Sequence, residues 1–210
     1  MGIDLNKVFK EPVDVILSEP QFFVLPVIPA LLYLIGDIIN GAIGSIFNLL
    51  GMILEIMVDG ALVYMAYRLL KTGSTDYWEG LTIAQERLVD LLIAAVIIGI
   101  GAFIGFLLFV IPGLIWLMLV VFSIPILIIE NKDAVTSIKE SINLTLQYGS
   151  DVLVYVIILV LIVFAVQWIL GLIPYIGNFI ATIVVSPYVA VSLTMAYEQL
   201  KEESGEALEF

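Results

Sequence analysis

The sequence predicts an all-α, polytopic integral membrane protein: six transmembrane helices, short interfacial helices on the cytoplasmic side, and both termini cytoplasmic. Three observations predict it. The chain is 62% hydrophobic and 13% charged with a mean hydropathy of +1.15, whereas soluble domains are roughly 45–50% apolar and about 25% charged. Six apolar stretches each approach the roughly 20 residues needed to cross the ~30 Å hydrocarbon core as helix, and they are too continuously apolar for barrel strands. All eight Lys and Arg residues fall in alternate gaps between those stretches. Lys7 and Lys10 precede the first, Arg68, Lys71 and Arg87 flank the gap after the second, Lys132 and Lys139 lie after the fourth, and Lys201 follows the sixth. The positive-inside rule then places these gaps in the cytoplasm and the protein in the cytoplasmic membrane.

Taken in order, the first element is an interfacial segment in which Val8, Phe9, Val13, Ile16 and Leu17 alternate with Lys7, Lys10, Glu11 and Asp14, the pattern of a helix lying on the inner surface. The spans read as Phe22–Asn40, Ile46–Leu70, Leu88–Val110, Leu114–Ile129, Val152–Ile173 and Tyr175–Leu200. Uncharged Gly- and Pro-containing turns join them in pairs on the external side: Gly41 to Ser45, Ile111-Pro112-Gly113, and Gly171 to Gly177. After the second span, Ser74 or Thr75 is placed to cap a short helix carrying Tyr77, Trp78, Leu81 and Leu88. After the fourth, Val135, Ile138, Ile142 and Leu146 recur at helical spacing as one apolar face. Pro125 and Pro187 should kink the fourth and sixth spans. Gly101 and Gly105, with Ala95 and Gly99 before them, are spaced for close helix packing, expected within the chain. Gln167 is expected to form an interhelical hydrogen bond, and the acidic run from Glu198 to Glu206 to be a solvated helix end.

The 210 residues leave room for one six-helix domain, 1–210, and no separate soluble domain. Its plan reads as three units of segment, outward span and returning span, at 4–70, 74–130 and 133–200. Pro112 to Pro125 and Pro174 to Pro187 repeat the same spacing, with Ser123 and Ser186 near the second proline. The N-terminus has no basic region leading into a short apolar core, so no cleavable signal peptide is expected. The net charge of −12 opposes binding of nucleic acid. Partners are expected among membrane lipids and membrane proteins, a second copy of the chain included. Zero Cys and zero His remove thiolate and imidazole metal ligands and the usual nucleophile–base pairs, so no cofactor, no metal and no catalytic residues are expected.

All but three of the 20 acids lie at the cytoplasmic side in this topology. The exceptions are Asp37 in the first span and Glu55 and Asp59 in the second. Glu55 and Asp59 are four residues apart on one helix face, and Asn48 continues the stripe. An acid at the bilayer centre costs roughly 2.5–3.5 kcal/mol on insertion scales, so such groups face a cavity, a partner or a permeating ion. No Lys or Arg lies deep in any span to pair with them. Asp37, Asn40, Asn48, Glu55 and Asp59 therefore form the candidate proton or cation site, set against the alternative that they only bond neighbouring helices. Asp59-Gly60 with a later Gly73 partly matches the CDP-alcohol phosphotransferase pattern. Tyr64, Tyr77 and Leu81 occupy its other key positions, however, leaving one acid where Mg²⁺ requires several oxygen ligands.

Several stretches in order resemble the membrane domain attached to some glycerophosphodiester phosphodiesterases, and its stand-alone archaeal and bacterial relatives. They are Ile111-Pro112-Gly113, Pro125-Ile126, the run from Glu130 to Val135, the run from Ile138 to Thr145, and Ala196 to Leu200. The likeness covers roughly residues 55–200. In that family a basic residue commonly precedes the serine of the middle segment; here Glu140 precedes Ser141. The resemblance implies a fold, with no phosphodiesterase domain, and a scaffold or lipid-associated role. The expected function is accordingly that of a non-enzymatic membrane protein organising lipid or a partner, with a small proton- or cation-coupled transporter or channel as the alternative.

Overall fold

Each long apolar stretch folds as helix, because only an internally hydrogen-bonded backbone is tolerated in hydrocarbon. The computed structural model describes residues 2–205, in which 87% is helix and no strand occurs among the described residues. Ten α-helices follow one another: α1 (Leu5–Ser18), α2 (Val27–Ile39) after a 3₁₀ turn over Pro20–Phe23, α3 (Gly41–Thr72), α4 (Tyr77–Glu86), α5 (Leu88–Leu108), α6 (Val110–Val120), α7 (Ser123–Ile129), α8 (Ala134–Gln147), α9 (Gly149–Gly171) and α10 (Ile176–Glu203). Among the described residues, six segments are long and apolar enough to cross a bilayer: Pro20–Ile39, α3, α5, Val110–Ile129, α9 and α10. Glu206, the last acid of the predicted acidic run, lies outside the described residues.

The bundle is closed at the end that carries the termini and splayed at the other. Buried side chains concentrate in one half of each helix: Val58 to Tyr67 of α3, Leu91 and Ala94 of α5, Val120 to Ile128 of α6 and α7, Val152 to Leu159 of α9, and Ala190 to Leu200 of α10. Rings fill the centre of this closed half, with Phe9 on Tyr155 at 5.4 Å, Phe122 on Tyr155 at 6.4 Å and Phe122 by Tyr197 at 5.9 Å between centroids. The bases seen in ion pairs (Arg68 with Glu79, Lys71 with Glu198, Arg87 with Asp90, Lys132 and Lys201 with Glu130) sit at the same end. In the open half, Phe103, Leu107, Phe109 and Ile111 at the α5–α6 tip, and Phe164 and Trp168 on α9, point away from the bundle.

Several elements differ from expectation, each for a local reason. The residues Gly41 to Ser45 are helical, and the reversal between α2 and α3 is made at Asn40 and Gly41, whose φ values are 55° and 65°. Asparagine and glycine tolerate that left-handed region best. Asp76, not Ser74 or Thr75, caps α4 by accepting from Trp78 N at 2.7 Å. The fourth span starts earlier, at Val110, and is interrupted at 121–122 between α6 and α7. Pro125 explains the interruption, because it has no N–H for Val121 O and its ring crowds that carbonyl. Helix α10, by contrast, continues through Pro187, so the two proline-matched units differ in shape.

Helix α8 supplies what the broken α6–α7 segment lacks. Ser141 Oγ donates to Leu119 O at 2.9 Å and accepts from Phe122 N at 3.1 Å, while Thr145 Oγ1 donates to Met118 O at 3.3 Å. In an unbroken helix Met118 O and Leu119 O would receive N–H groups four residues on. The buried face of α8 is therefore Ala134, Ser137, Ile138, Ser141 and Thr145, whereas Val135 and Leu146 of the expected apolar face are exposed. Of the glycine pairs, Gly101 and Gly105 do pack within the chain: a Cβ on Gly101 would lie 2.2 Å from the Trp116 ring, and one on Gly105 would lie 2.7 Å from Gly113 Cα. Gly99 has open space beside it, contrary to the close packing expected there.

Candidate functional site

The open half of the bundle holds an open cavity of about 330 Å³, lined by polar residues of α2, α3, α9 and α10. Small residues permit it. Gly36 and Gly44 let α2 and α3 approach, since a Cβ on Gly44 would stand 2.5 Å from Gly36 O, and Gly51 leaves room for the Tyr33 ring. On α3 the spacing Gly44, Asn48, Gly51, Glu55, Asp59 keeps small and polar residues on one stripe facing α2 and α10. Glu55 and Asp59 fall near the middle of α3, Glu55 about 21 Å along the axis from Gly41.

Asp37 and Tyr33 contribute from α2, Asn48 and Glu55 from α3, Gln167 from α9, and Asn178 and Thr182 from α10. Tyr33 Oη donates to Glu55 Oε2 at 2.6 Å, and Asn178 Nδ2 donates to Asp37 Oδ2 at 3.4 Å. Asn48 Oδ1 is buried with no hydrogen-bond partner, although buried carbonyl oxygens are normally satisfied. Asp59 lies below the cavity lining, partly buried, one turn from Glu55 on α3 and close to Ser186 of α10. A polar column thus descends from Asp37 and Asn178 at the mouth, past Asn48, Thr182 and Glu55, to Asp59 and Ser186.

Four of the five sequence-selected residues belong to this column. Asn40 does not: it is exposed at the α2–α3 reversal, where its backbone conformation is its contribution. Gln167, expected to bond a neighbouring helix, is instead exposed and lines the cavity. The second wall was overlooked in the sequence. Asn178, Thr182 and Ser186 recur every four residues on α10, and that spacing places them on one face. Tyr33, one turn before Asp37, carried the same signal on α2.

The column contains carboxylates, amides and hydroxyls but no base. Beyond Asp59 the same face of α3 continues with Leu62, Val63 and Ala66, which are apolar and buried. No group of three or more His, Cys, Asp or Glu able to hold a metal occurs among the described residues. Carboxylates, amide oxygens and hydroxyls are groups that accept protons or hydrogen bonds from cations.

A second polar cluster lies at the closed end. Glu130 accepts from Tyr197 Oη and pairs with Lys132 and with Lys201, the latter at 2.9 Å; Lys132 also pairs with Glu140. Burial pushes the Glu130 carboxyl up, but the hydrogen bonds from Lys132, Tyr197 and Lys201 outweigh it and hold the group below its ordinary range. Arg87 Nη2 donates to Asn131 O at 2.6 Å, fixing the left-handed turn at Asn131. Apart from Ile111-Pro112-Gly113, which lies at the α5–α6 tip, the stretches that carry the family resemblance meet here and at the α6–α7 break: Pro125, Glu130 to Asp133, Ser141, Thr145 and Tyr197. These residues build the joint between α7, α8 and α10 and are not among those lining the cavity.

The chain matches no known family model, no curated protein and no solved structure.

Proposed function

We propose that the protein is a small, non-enzymatic transporter of the cytoplasmic membrane, with the charged closed end and both termini in the cytoplasm and the cavity facing outward. The observation that carries this reading is the open cavity whose polar column runs from Asp37 to Asp59 near the middle of α3. Intramembrane acids normally serve an ion or proton pathway, and carriers place their sites near the midplane. In this reading α1, α4 and α8 lie at the inner surface, and the arrangement is the outward-open state. Asp37, Asn48 and Glu55 meet the solute, and Asp59 exchanges a proton with the cavity. Proton flux into proteoliposomes, followed with an entrapped pH-sensitive dye, tests it. Wild type should carry a flux that Asp59→Asn abolishes without loss of fold, and equal flux in both would refute the role of Asp59.

A scaffold or lipid-associated role has its own support. An apolar groove of about 350 Å³ lies between α1 and the α9–α10 hairpin, lined by Val13, Leu17, Val163 and Val185 among others. Its walls suit an acyl chain, and the resemblance to a phosphodiesterase-attached membrane domain points the same way. Membrane lipids are the partners in that reading, together with a membrane protein or a second copy of the chain.

A further inference from the structure

The open-half cavity selects its occupant by charge, size and donor pattern. Two carboxylates, Asp37 and Glu55, face one space without any base, and an anion brought into it would meet uncompensated repulsion. Its volume of about 330 Å³ is some tenfold that of a water molecule, about 30 Å³. It falls at the lower end of the ≈ 300–1,000 Å³ range of small-molecule sites, so a lone inorganic cation would leave most of it filled only by water. The rest of the lining is neutral: the amides of Asn48, Gln167 and Asn178 and the hydroxyls of Tyr33 and Thr182.

The acids are also held apart. Tyr33, about 6 Å along α2 from Asp37, fixes Glu55 with a 2.6 Å hydrogen bond, while Asn178 holds Asp37 at the mouth. Each carboxylate keeps one oxygen outside these bonds. We infer that the cavity is a binding site for a small aliphatic diammonium compound, one ammonium group at Asp37 and the other at Glu55, with its alkyl chain between. Each ammonium brings three donors and no acceptor, matching a lining that offers carboxylate and carbonyl oxygens. Asp59, which is not among the residues lining the cavity, stays outside the contact and is left to carry the proton.

This inference rests on the cavity being a solute site. The test is isothermal titration of the full chain in detergent with 1,4-diaminobutane, alongside 1-aminobutane, 4-aminobutanoate, Na⁺ and K⁺ at constant ionic strength. Glu55→Gln preserves the acceptor for Tyr33 and Asp37→Asn the shape of the mouth; thermal unfolding confirms that both variants fold. Saturable binding of the diamine is expected, weakened about tenfold or more by either substitution, with the monoamine weaker and the zwitterion and inorganic ions unable to displace it. Binding that is absent, or that both substitutions leave unchanged, overturns the diammonium assignment. If diamine binding is absent while Asp59-dependent proton flux persists, the assignment alone fails; if the flux is absent as well, the transporter reading fails with it.

Discussion

Replacing Ser141 by Ala should open the joint on which the closed half depends. The serine hydroxyl bridges Leu119 O and Phe122 N across the α6–α7 interruption, and both Ser141 and Phe122 are fully buried. Alanine removes both bonds and leaves a buried N–H without an acceptor, at a cost of about 1–3 kcal/mol for the orphaned donor and about 1 kcal/mol for the other bond. Alanine's better helix propensity returns about 0.5 kcal/mol, so the net loss is about 1.5–3.5 kcal/mol. Interhelical hydrogen bonds in membrane proteins average only about 0.6 kcal/mol, because the unfolded chain finds other partners. Here the break at 121–122 takes Phe122 N and Leu119 O out of the regular helical ladder, which separates the two expectations. Reversible unfolding in mixed micelles with increasing dodecyl sulfate, followed by circular dichroism, measures the difference. Asn143→Ala, on the exposed face of the same helix, should shift stability by no more than about 0.5 kcal/mol. A loss of about 0.6 kcal/mol or less for Ser141→Ala would refute the idea that α8 hydroxyls hold the break.

Two further outcomes follow from packing and charge. Gly105→Ala should destabilise by about 1–3 kcal/mol, because its Cβ would meet Gly113 backbone that cannot rotate away. Gly99→Ala, with open space beside it, should be neutral or stabilising by up to about 1 kcal/mol; similar losses in the same unfolding assay would contradict the α5–α6 packing. Glu130 is held below its ordinary value of 4.5, so the stability it contributes is present above that value and lost as pH falls through its lower folded value. Glu130→Gln should be less stable at neutral pH and show a flatter profile than wild type below 4.5; parallel profiles would show that the cluster with Lys132, Tyr197 and Lys201 is not linked to folding.

The legible part of the fold was whatever hydrocarbon dictates directly. Span number follows from apolar runs, and helices before and between the span pairs follow from amphipathic spacing, as α1, α4 and α8 show. Features set by one backbone meeting another were hidden. The α8 face was misassigned because its neighbour is an interrupted backbone, which selects Ser141 and Thr145 over Val135 and Leu146. The α2–α3 reversal fell at Asn40 because a left-handed asparagine reverses the chain in fewer residues than a loop from Gly41 to Ser45. At the cavity, Asp37, Asn48, Glu55 and Asp59 were visible as acids and an amide out of place in lipid. The α10 wall of Asn178, Thr182 and Ser186 was missed, because single hydroxyl and amide residues are inexpensive in membrane helices unless their common spacing is read together.

Access of water to the column is tested most directly by cysteine labelling, for which a chain with zero Cys is a clean background. Asn178→Cys at the mouth, Asn48→Cys on the α3 wall and Ile104→Cys on the exposed apolar face of α5 can each be treated, in oriented proteoliposomes, with a membrane-impermeant cationic thiosulfonate. The first two should be modified from the open-end side only, and Ile104→Cys from neither side. An Asn48→Cys protein as unreactive as Ile104→Cys, or one modified from the side of the termini, would contradict an outward-open cavity.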